Sequence, residues 1–250
     1  METAPPHAAD GALPTPGIQG KEAALVQAMF ERVAPCYDLA NSVLSFGQDA
    51  HWRRVAAQAA HPNGSAILDV AAGTGVLSRE LVRLGATEVV ALDISHRMLL
   101  AGTRRRAPRM RMLNADAMRL PFPDRTFDAV TIAFGLRNVH DAASALLEFA
   151  RVTRPGGRLV VLEFSTPTWP PFRRLYEAYL TGVLPRVAQV VSSDPSAYRY
   201  LADSILLWPD QDSLARWLAH NGWDEVRYRN LSGGIVAVHR GRRPTGEDRP

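Results

Sequence analysis

The chain has 250 residues, 46% of them hydrophobic and 22% charged, with one cysteine and a formal charge of +4. That length buries a substantial core in one large domain, and the lone thiol, Cys36, excludes an internal disulfide or a cysteine cage for a metal. No charge-free stretch approaches the roughly 18 to 20 apolar residues of a membrane-spanning helix, so no transmembrane anchor is expected.

Residues 1–20 are rich in Pro, Ala and Gly and have neither the basic start nor the apolar block of a secretory signal. They also lack arginine, which argues against a mitochondrial transit peptide, and read as a disordered leader on a cytoplasmic protein. Residues 21–33 space Leu25, Met29 and Val33 as a helix does, and a second helical stretch runs through Trp52 and Val55. The first strand is 66–70, followed by Gly73-Thr74-Gly75 and a helix over 76–84. A strand over 88–92 ends in Asp93. A helix from Ser95 to about Arg106 and a weak strand over 110–113 come next.

Beyond the turn Leu120-Pro121-Phe122-Pro123-Asp124, a strand over 127–134 leads to a helix marked by Ala143, Leu146, Leu147 and Ala150, stopped at Arg154-Pro155-Gly156-Gly157. A β-prone run follows over 158–164. Such alternation predicts a parallel sheet covered on both faces. Residues 168–191 then place Phe172, Tyr176, Tyr179, Leu180 and Val183 on one helical face. A helix over 212–221 carries Asp210 or Asp212 as its cap and Gly222 as its stop. The strands 226–231 and 235–239, joined by Ser232-Gly233-Gly234, read as a terminal antiparallel pair. Residues 241–250 read as a flexible tail.

Three features carry chemistry. The run 129–134 ends in Phe134-Gly135-Leu136-Arg137-Asn138-Val139, and a guanidinium buried there requires a carboxylate, a carbonyl or an anionic substrate oxygen beside it. The turn after 66–70 sets small residues at the carboxyl edge of the sheet, the usual ligand crevice, and Asp93 stands where a carboxylate accepts from a ribose diol. The third glycine of a dinucleotide fingerprint would fall at Ser78, and Asp69 would repel a pyrophosphate while suiting an ammonium or sulfonium, which favours S-adenosylmethionine over a nicotinamide cofactor. Asp116-Ala117 follows the third strand, where an adenine amine would be read. Lys21 is the only lysine among 29 basic residues. The cluster Arg104, Arg105, Arg106, Arg109 and Arg111 reads as a solvated helix end, or as a patch for phosphate or an anionic membrane surface.

Taken together, Asp69-Val-Ala-Ala-Gly73-Thr74-Gly75, Leu120-Pro-Phe-Pro-Asp124, Phe134-Gly-Leu-Arg137-Asn138-Val139, Arg151-Val-Thr-Arg-Pro155-Gly-Gly157 and Leu162-Glu163-Phe164-Ser165 resemble the quinone-biosynthesis C-methyltransferases. The resemblance extends from Ala34-Pro-Cys-Tyr37-Asp38 and Trp52-Arg53 to Tyr198-Arg-Tyr-Leu201 and Val238-His-Arg-Gly241. It implies a Rossmann-like class I methyltransferase fold, α/β, with a mostly parallel seven-stranded sheet whose last strand is antiparallel. N-terminal helices (21–60) and an inserted helical cap (168–208) belong to one domain spanning 21–240. The expected reaction is S-adenosylmethionine-dependent methylation of a ring carbon of a polyprenylated quinol, demethylmenaquinol or the methoxybenzoquinol of ubiquinone synthesis. Cofactor contacts transfer to Gly73, Thr74, Asp93, Asp116 and Ala117. Arg137 and Asn138 are expected on the quinol oxygens, and Tyr37 and Asp38 close the site. No metal and no nucleic-acid partner is expected: the Asn-Pro-Pro-aromatic strand end and the cysteine nucleophile of nucleic-acid methylation are both missing. The apolar face of the cap fits either an isoprenoid groove or core packing. A prenylated substrate implies transient peripheral contact with the membrane, and a homodimer is compatible with everything above.

Overall fold

Among the described residues seven strands form one sheet: β1 (Ala66–Val70), β2 (Glu88–Asp93), β3 (Met110–Asn114), β4 (Phe127–Ala133), β5 (Thr153–Phe164), β6 (Asp224–Leu231) and β7 (Val236–Arg242), in the order β3-β2-β1-β4-β5-β7-β6. The computed structural model describes residues 45–184, 186 and 195–245, so the leader, the helix expected over 21–33, Cys36, Tyr37 and Asp38 lie outside the described residues. β1 to β5 pair in parallel, and β7 runs antiparallel to both β5 and β6. The terminal antiparallel pair is therefore present, with β7 inserted between its partner and the rest of the sheet.

Strand alternation sends successive side chains to opposite faces. On one face Leu68, Val70, Val130, Ile132 and Val161 pack against α4 (Ala142–Val152) and α7 (Gln211–His220), through Leu146, Phe149, Leu214 and Leu218. On the other, Ile67, Val89, Ala129 and Val160 pack against α1 (Gln48–Ala59) and α2 (Val76–Arg83), through Trp52, Ala56, Leu77 and Leu81. Phe149 is wholly buried, and withdrawing such a side chain from water contributes about 1.5 to 3 kcal/mol. α3 (His96–Thr103) packs beside β2 and β3.

Local chemistry sets the ends of these elements. Ser95, Asp141 and Asp210 cap α3, α4 and α7, each accepting from a backbone N–H three residues on. Asp210, rather than Asp212, is thus the cap of α7, and Gly222 (φ 88°) follows its end. Arg154-Pro155-Gly156-Gly157 does end α4, but pairing resumes earlier than the β-prone run suggests. Thr153 stands opposite Phe127 and Arg158 opposite Ala129, so residues 154–157 bulge out of register. A side chain at Gly157 would lie 2.8 Å from the Asp128 carbonyl, which is why the bulge needs glycine.

The cap consists of α5 (Pro170–Ala178), a π-helical turn (Tyr179–Val183) and α6 (Pro195–Leu206). Tyr176, Leu180, Leu184, Ala202 and Ile205 form its own small core, seated on Phe164 and Ile235. Of the aromatic face expected to serve either packing or a tail, Tyr176 and Leu180 are therefore committed to packing, whereas Val183 is 48% exposed.

Candidate active site

β2 and β3 lie to one side of β1, and β4 lies to the other, so the chain leaves the carboxyl ends of β1 and β4 in opposite directions, at a topological switch point. A cleft of about 1050 Å³, counting space open to solvent, occupies that position. Its floor is the turn after β1. Ala71 (φ 51°), Gly73 (φ 58°) and Gly75 (φ 79°) take left-handed conformations, and Ala72 N donates to Leu92 O at 3.0 Å. Across the cleft Phe134 also has a positive φ, 56°, held by its N–H to Leu162 O at 2.8 Å. A non-glycine residue in this region costs about 1 to 3 kcal/mol, and such strain concentrates at functional sites. A Cβ on Gly135 would stand 2.4 Å from Ala71 Cβ, so the two strand ends meet only because residue 135 has none.

The expected cofactor residues converge here: Gly73, Thr74, Asp93, Asp116 and Ala117 all line the cleft. Asp93 Oδ2 accepts from Gly73 N at 2.7 Å and Oδ1 from Ser95 N at 2.8 Å, which ties the end of β2 to the glycine turn. Burial raises its carboxyl above the ordinary range and these backbone donors oppose the rise. The Ile94 N–H also bonds this carboxylate, and since a carboxylate has about four acceptor sites, about one is left for a diol. Asp116 Oδ1 accepts from Met118 N at 2.9 Å, and Arg79 Nη1 donates to Thr74 O at 2.8 Å.

Asp69 is not a wall of the cleft. It lies beneath the turn, 1% exposed, accepting from Ser78 Oγ at 2.5 Å and Thr131 Oγ1 at 2.8 Å. Ser78, which replaces the glycine of a dinucleotide fingerprint, thus has a definite task. Burial pushes the Asp69 carboxyl up to about 6, against the pull of those hydroxyls and of Arg53. The acid expected near the turn to suit a cationic ligand therefore lies below it rather than in the cleft wall.

Arg137 and Asn138 sit together on a 3₁₀ turn (Leu136–Asn138) after β4 but face different surroundings. Asn138 lines the cleft; Arg137 does not. The Arg137 guanidinium is 4% exposed, and its Nη1 donates to Glu163 Oε1 at 2.7 Å and to Phe134 O at 2.8 Å. Its Cζ lies 5.1 Å from the centroid of the Phe164 ring. The carboxylate and carbonyl that a buried guanidinium demands are both present, and they come from the protein rather than from a quinol oxygen. Arg137, expected on a quinol oxygen, is thus paired with Glu163 and does not line the cleft. Glu163, fully buried at the end of β5, has its carboxyl raised by burial, with Arg137 and the Phe164 and Arg137 N–H groups pulling the other way.

The cap reaches this turn from α6. Tyr200 O–H donates to Asn138 Oδ1 at 2.8 Å, and Arg137 Nε donates to Ser204 Oγ at 3.4 Å. Residues 200 and 204 are one helical turn apart, so one face of α6 holds both side chains of the 3₁₀ turn. Glu163 and Tyr200 are the participants that sequence reasoning did not assign. Both stand inside quoted motifs, but 26 and 62 residues from the groups they hold.

A family model described as the ubiE/COQ5 methyltransferase family matches residues 18–243. The chain is 56% identical over 217 residues to a demethylmenaquinone methyltransferase of Renibacterium salmoninarum, covering 86% of this chain and 90% of that one. It is 55% identical over 220 residues to a demethylmenaquinone methyltransferase of Mycobacterium tuberculosis, covering 88% and 92%. Among solved structures, a SAM-dependent methyltransferase of Thermotoga maritima superposes with a TM-score of 0.62 at 19% identity, over 87% of this chain and 99% of that one. That last likeness speaks for the fold.

Proposed function

Because the chain belongs to the ubiE/COQ5 methyltransferase family, we propose that it transfers a methyl group from S-adenosylmethionine to a ring carbon of demethylmenaquinol, the step that yields menaquinol. The observation that carries this reading is one cleft lined both by the glycine turn with Asp93 and Asp116 and by the Asn138 side of the Phe-Gly-Leu-Arg-Asn turn. S-adenosylmethionine supplies an electrophilic methyl group when bound. The residues present fit it: Asp93 retains an acceptor site for the ribose diol, and Thr74, Asp116 and Ala117 line the remainder.

A quinol ring becomes nucleophilic at carbon as a ring hydroxyl gives up its proton, so the protein's task is to orient that oxygen and exclude competing geometry. Holding reactants at near-attack distance supplies up to about 7 to 11 kcal/mol of the barrier. Asn138 is proposed as the group that meets a quinol oxygen. Its Oδ1 is engaged by Tyr200 and one N–H lies 3.3 Å from Phe134 O, which leaves the second N–H of the amide for the substrate. Arg137 becomes a positioning residue, fixing the 3₁₀ turn through Glu163. Tyr37 and Asp38 keep their proposed part in closing the site. No metal is assigned to the reaction.

No helix among the described residues is long and apolar enough to cross a membrane. Trp169, Leu175, Leu206 and Leu207 are nevertheless exposed on the cap and its flanks, beside Arg173 and Arg174. We propose that this surface touches the bilayer while a prenylated quinol is taken up. Quinone profiling of a deletion strain tests the activity: demethylmenaquinone should accumulate, and the purified chain should methylate demethylmenaquinol. Normal menaquinone in that strain would overturn the reading.

A further inference from the structure

Arg53 has no part in the chemistry above, yet it lines the cleft. It stands on α1 with its side chain 12% exposed. Its Nε has no hydrogen-bond partner among the described residues. The carboxylate paired with it, Asp49, is one helical turn back at 3.9 Å, the outer limit of an ion pair. Its Cζ lies 5.2 Å from the centroid of Phe134, the strained residue at the end of β4. A guanidinium keeps its charge at any working pH and is costly to desolvate without acceptors. One that lines a ligand cleft with so little compensation is matched to an anion that arrives with the ligand.

The scaffold holds it there. Trp52 Nε1, its neighbour, donates to Ser232 Oγ at 2.9 Å, Arg54 reaches Glu80 of α2 at 3.4 Å, and Ala56 and Ala57 are completely buried against the sheet. The guanidinium is therefore placed before any ligand binds, which lowers the ordering cost of binding.

Position along the sheet identifies the anion. Asp116 follows β3 and Asp93 ends β2, and the functional reading gives these to the adenine and the ribose. With the strand order β3-β2-β1-β4, the next part of the same ligand falls across the ends of β1 and β4. There Ala71, Ala72, Gly73, Phe134 and Arg53 line the cleft. That part of S-adenosylmethionine is the amino-acid end, whose ammonium is suited by the buried Asp69 beneath the turn and whose carboxylate requires a cation. We propose that Arg53 binds the α-carboxylate of the methionine portion. The inference rests on the cofactor reading above and adds the residue that distinguishes the full cofactor from a bare adenosine thioether. A quinolate oxygen shares the oxyanion chemistry, and the test separates the two.

Binding of S-adenosylhomocysteine and of 5′-methylthioadenosine, which lacks the amino-acid end, is measured by calorimetry on the wild-type chain, Arg53→Gln and Arg53→Lys. Arg53→Gln should weaken S-adenosylhomocysteine about 10- to 100-fold, the range of a hydrogen bond to a charged group, and leave 5′-methylthioadenosine unchanged. Arg53→Lys, which keeps the charge and loses the planar fork, should recover part of the loss. Equal losses for both ligands would mean a general disturbance of the cleft and overturn the proposal. Unchanged S-adenosylhomocysteine binding with a raised KM for the quinol would overturn it in favour of the substrate oxygen. A wild-type chain that bound neither ligand would instead sink the cofactor reading itself.

Discussion

Glu163→Gln removes one charge from a pair that has no access to water. The two groups are 2.7 Å apart with side chains 4% and 0% exposed, so after the change the Arg137 cation is left in the interior with only neutral partners. Removing one member of such a pair costs about 3 to 5 kcal/mol. Glutamine keeps one acceptor oxygen, but its NH₂ must occupy the place of Oε2, opposite the Arg137 N–H, where donor meets donor. For a chain of this size, that loss lowers the thermal midpoint by about 6 to 20 °C. Chemical or thermal denaturation of the purified variant reads it directly. Replacing both partners, as Arg137→Met with Glu163→Leu, should return most of the stability, because a well-packed apolar pair avoids the desolvation. Methyl transfer should not return with it, since Asn138 then lacks its fixed neighbour. A Glu163→Gln midpoint within about 2 °C of wild type, which at this size is less than ~1 kcal/mol, would refute the account of a fully desolvated pair.

Two buried groups should give opposing pH dependences. Asp69, raised from 3.8 to about 6, makes the charged form costly by about 3 kcal/mol above pH 6, a cost relieved as pH falls toward 4. His239, buried and lowered from 6.5 to about 4 mainly by burial, contributes a similar amount of stability that is complete above pH 6.5 and lost on the way down to 4. Wild type should therefore vary little in stability between pH 6.5 and 4, with Asp69→Asn losing stability on acidification and His239→Gln gaining it. Parallel curves for all three in urea titrations would contradict both assignments. Gly135→Ala should cost about 1 to 3 kcal/mol by overpacking and weaken S-adenosylhomocysteine binding, and Ala71→Gly in the same chain should restore both; a neutral single variant would show that the strand ends are not in contact. Tyr200→Phe should raise the quinol KM about 5- to 10-fold, the equivalent of one neutral hydrogen bond, with cofactor binding untouched; an unchanged KM would remove Asn138 from the substrate side.

What is legible in the sequence is what local chemistry decides. The runs 66–70, 88–92 and 127–134 are mostly apolar, on both strand faces, because a parallel sheet buries both faces. Asp93 announces itself by ending one of them, and the capping aspartates stand where helices begin. The demand of a buried Arg137 for a carboxylate, a carbonyl or a substrate anion also follows from its permanent charge, and Glu163 supplies the carboxylate. The identity of that carboxylate does not follow, because Glu163 is a single acid at the end of a β-prone run and its function depends on β4 and β5 lying side by side. The same limit hid Tyr200, which reaches Asn138 only after α6 has folded back over the sheet. Nor does the aromatic spacing over 168–191 reveal that Tyr176 turns inward while Leu175, one residue earlier, is 66% exposed. Asp69 was legible as an acid beside the turn but not as one shut beneath it, since that depends on its register with Thr131 across β1 and β4.

The insertion of β7 between β5 and β6 has a consequence for how the chain comes together during synthesis. β6 leaves the ribosome before β7, but it has no hydrogen-bonding partner in the sheet until β7 arrives to pair with both neighbours. The layer that α7 covers is thus completed by the last strand in chain order. Until then β5 presents an open, apolar edge of the kind that recruits foreign strands. A nascent chain halted just short of Val236 would carry the entire cleft yet be the form most in need of a chaperone, while seven further residues close the edge.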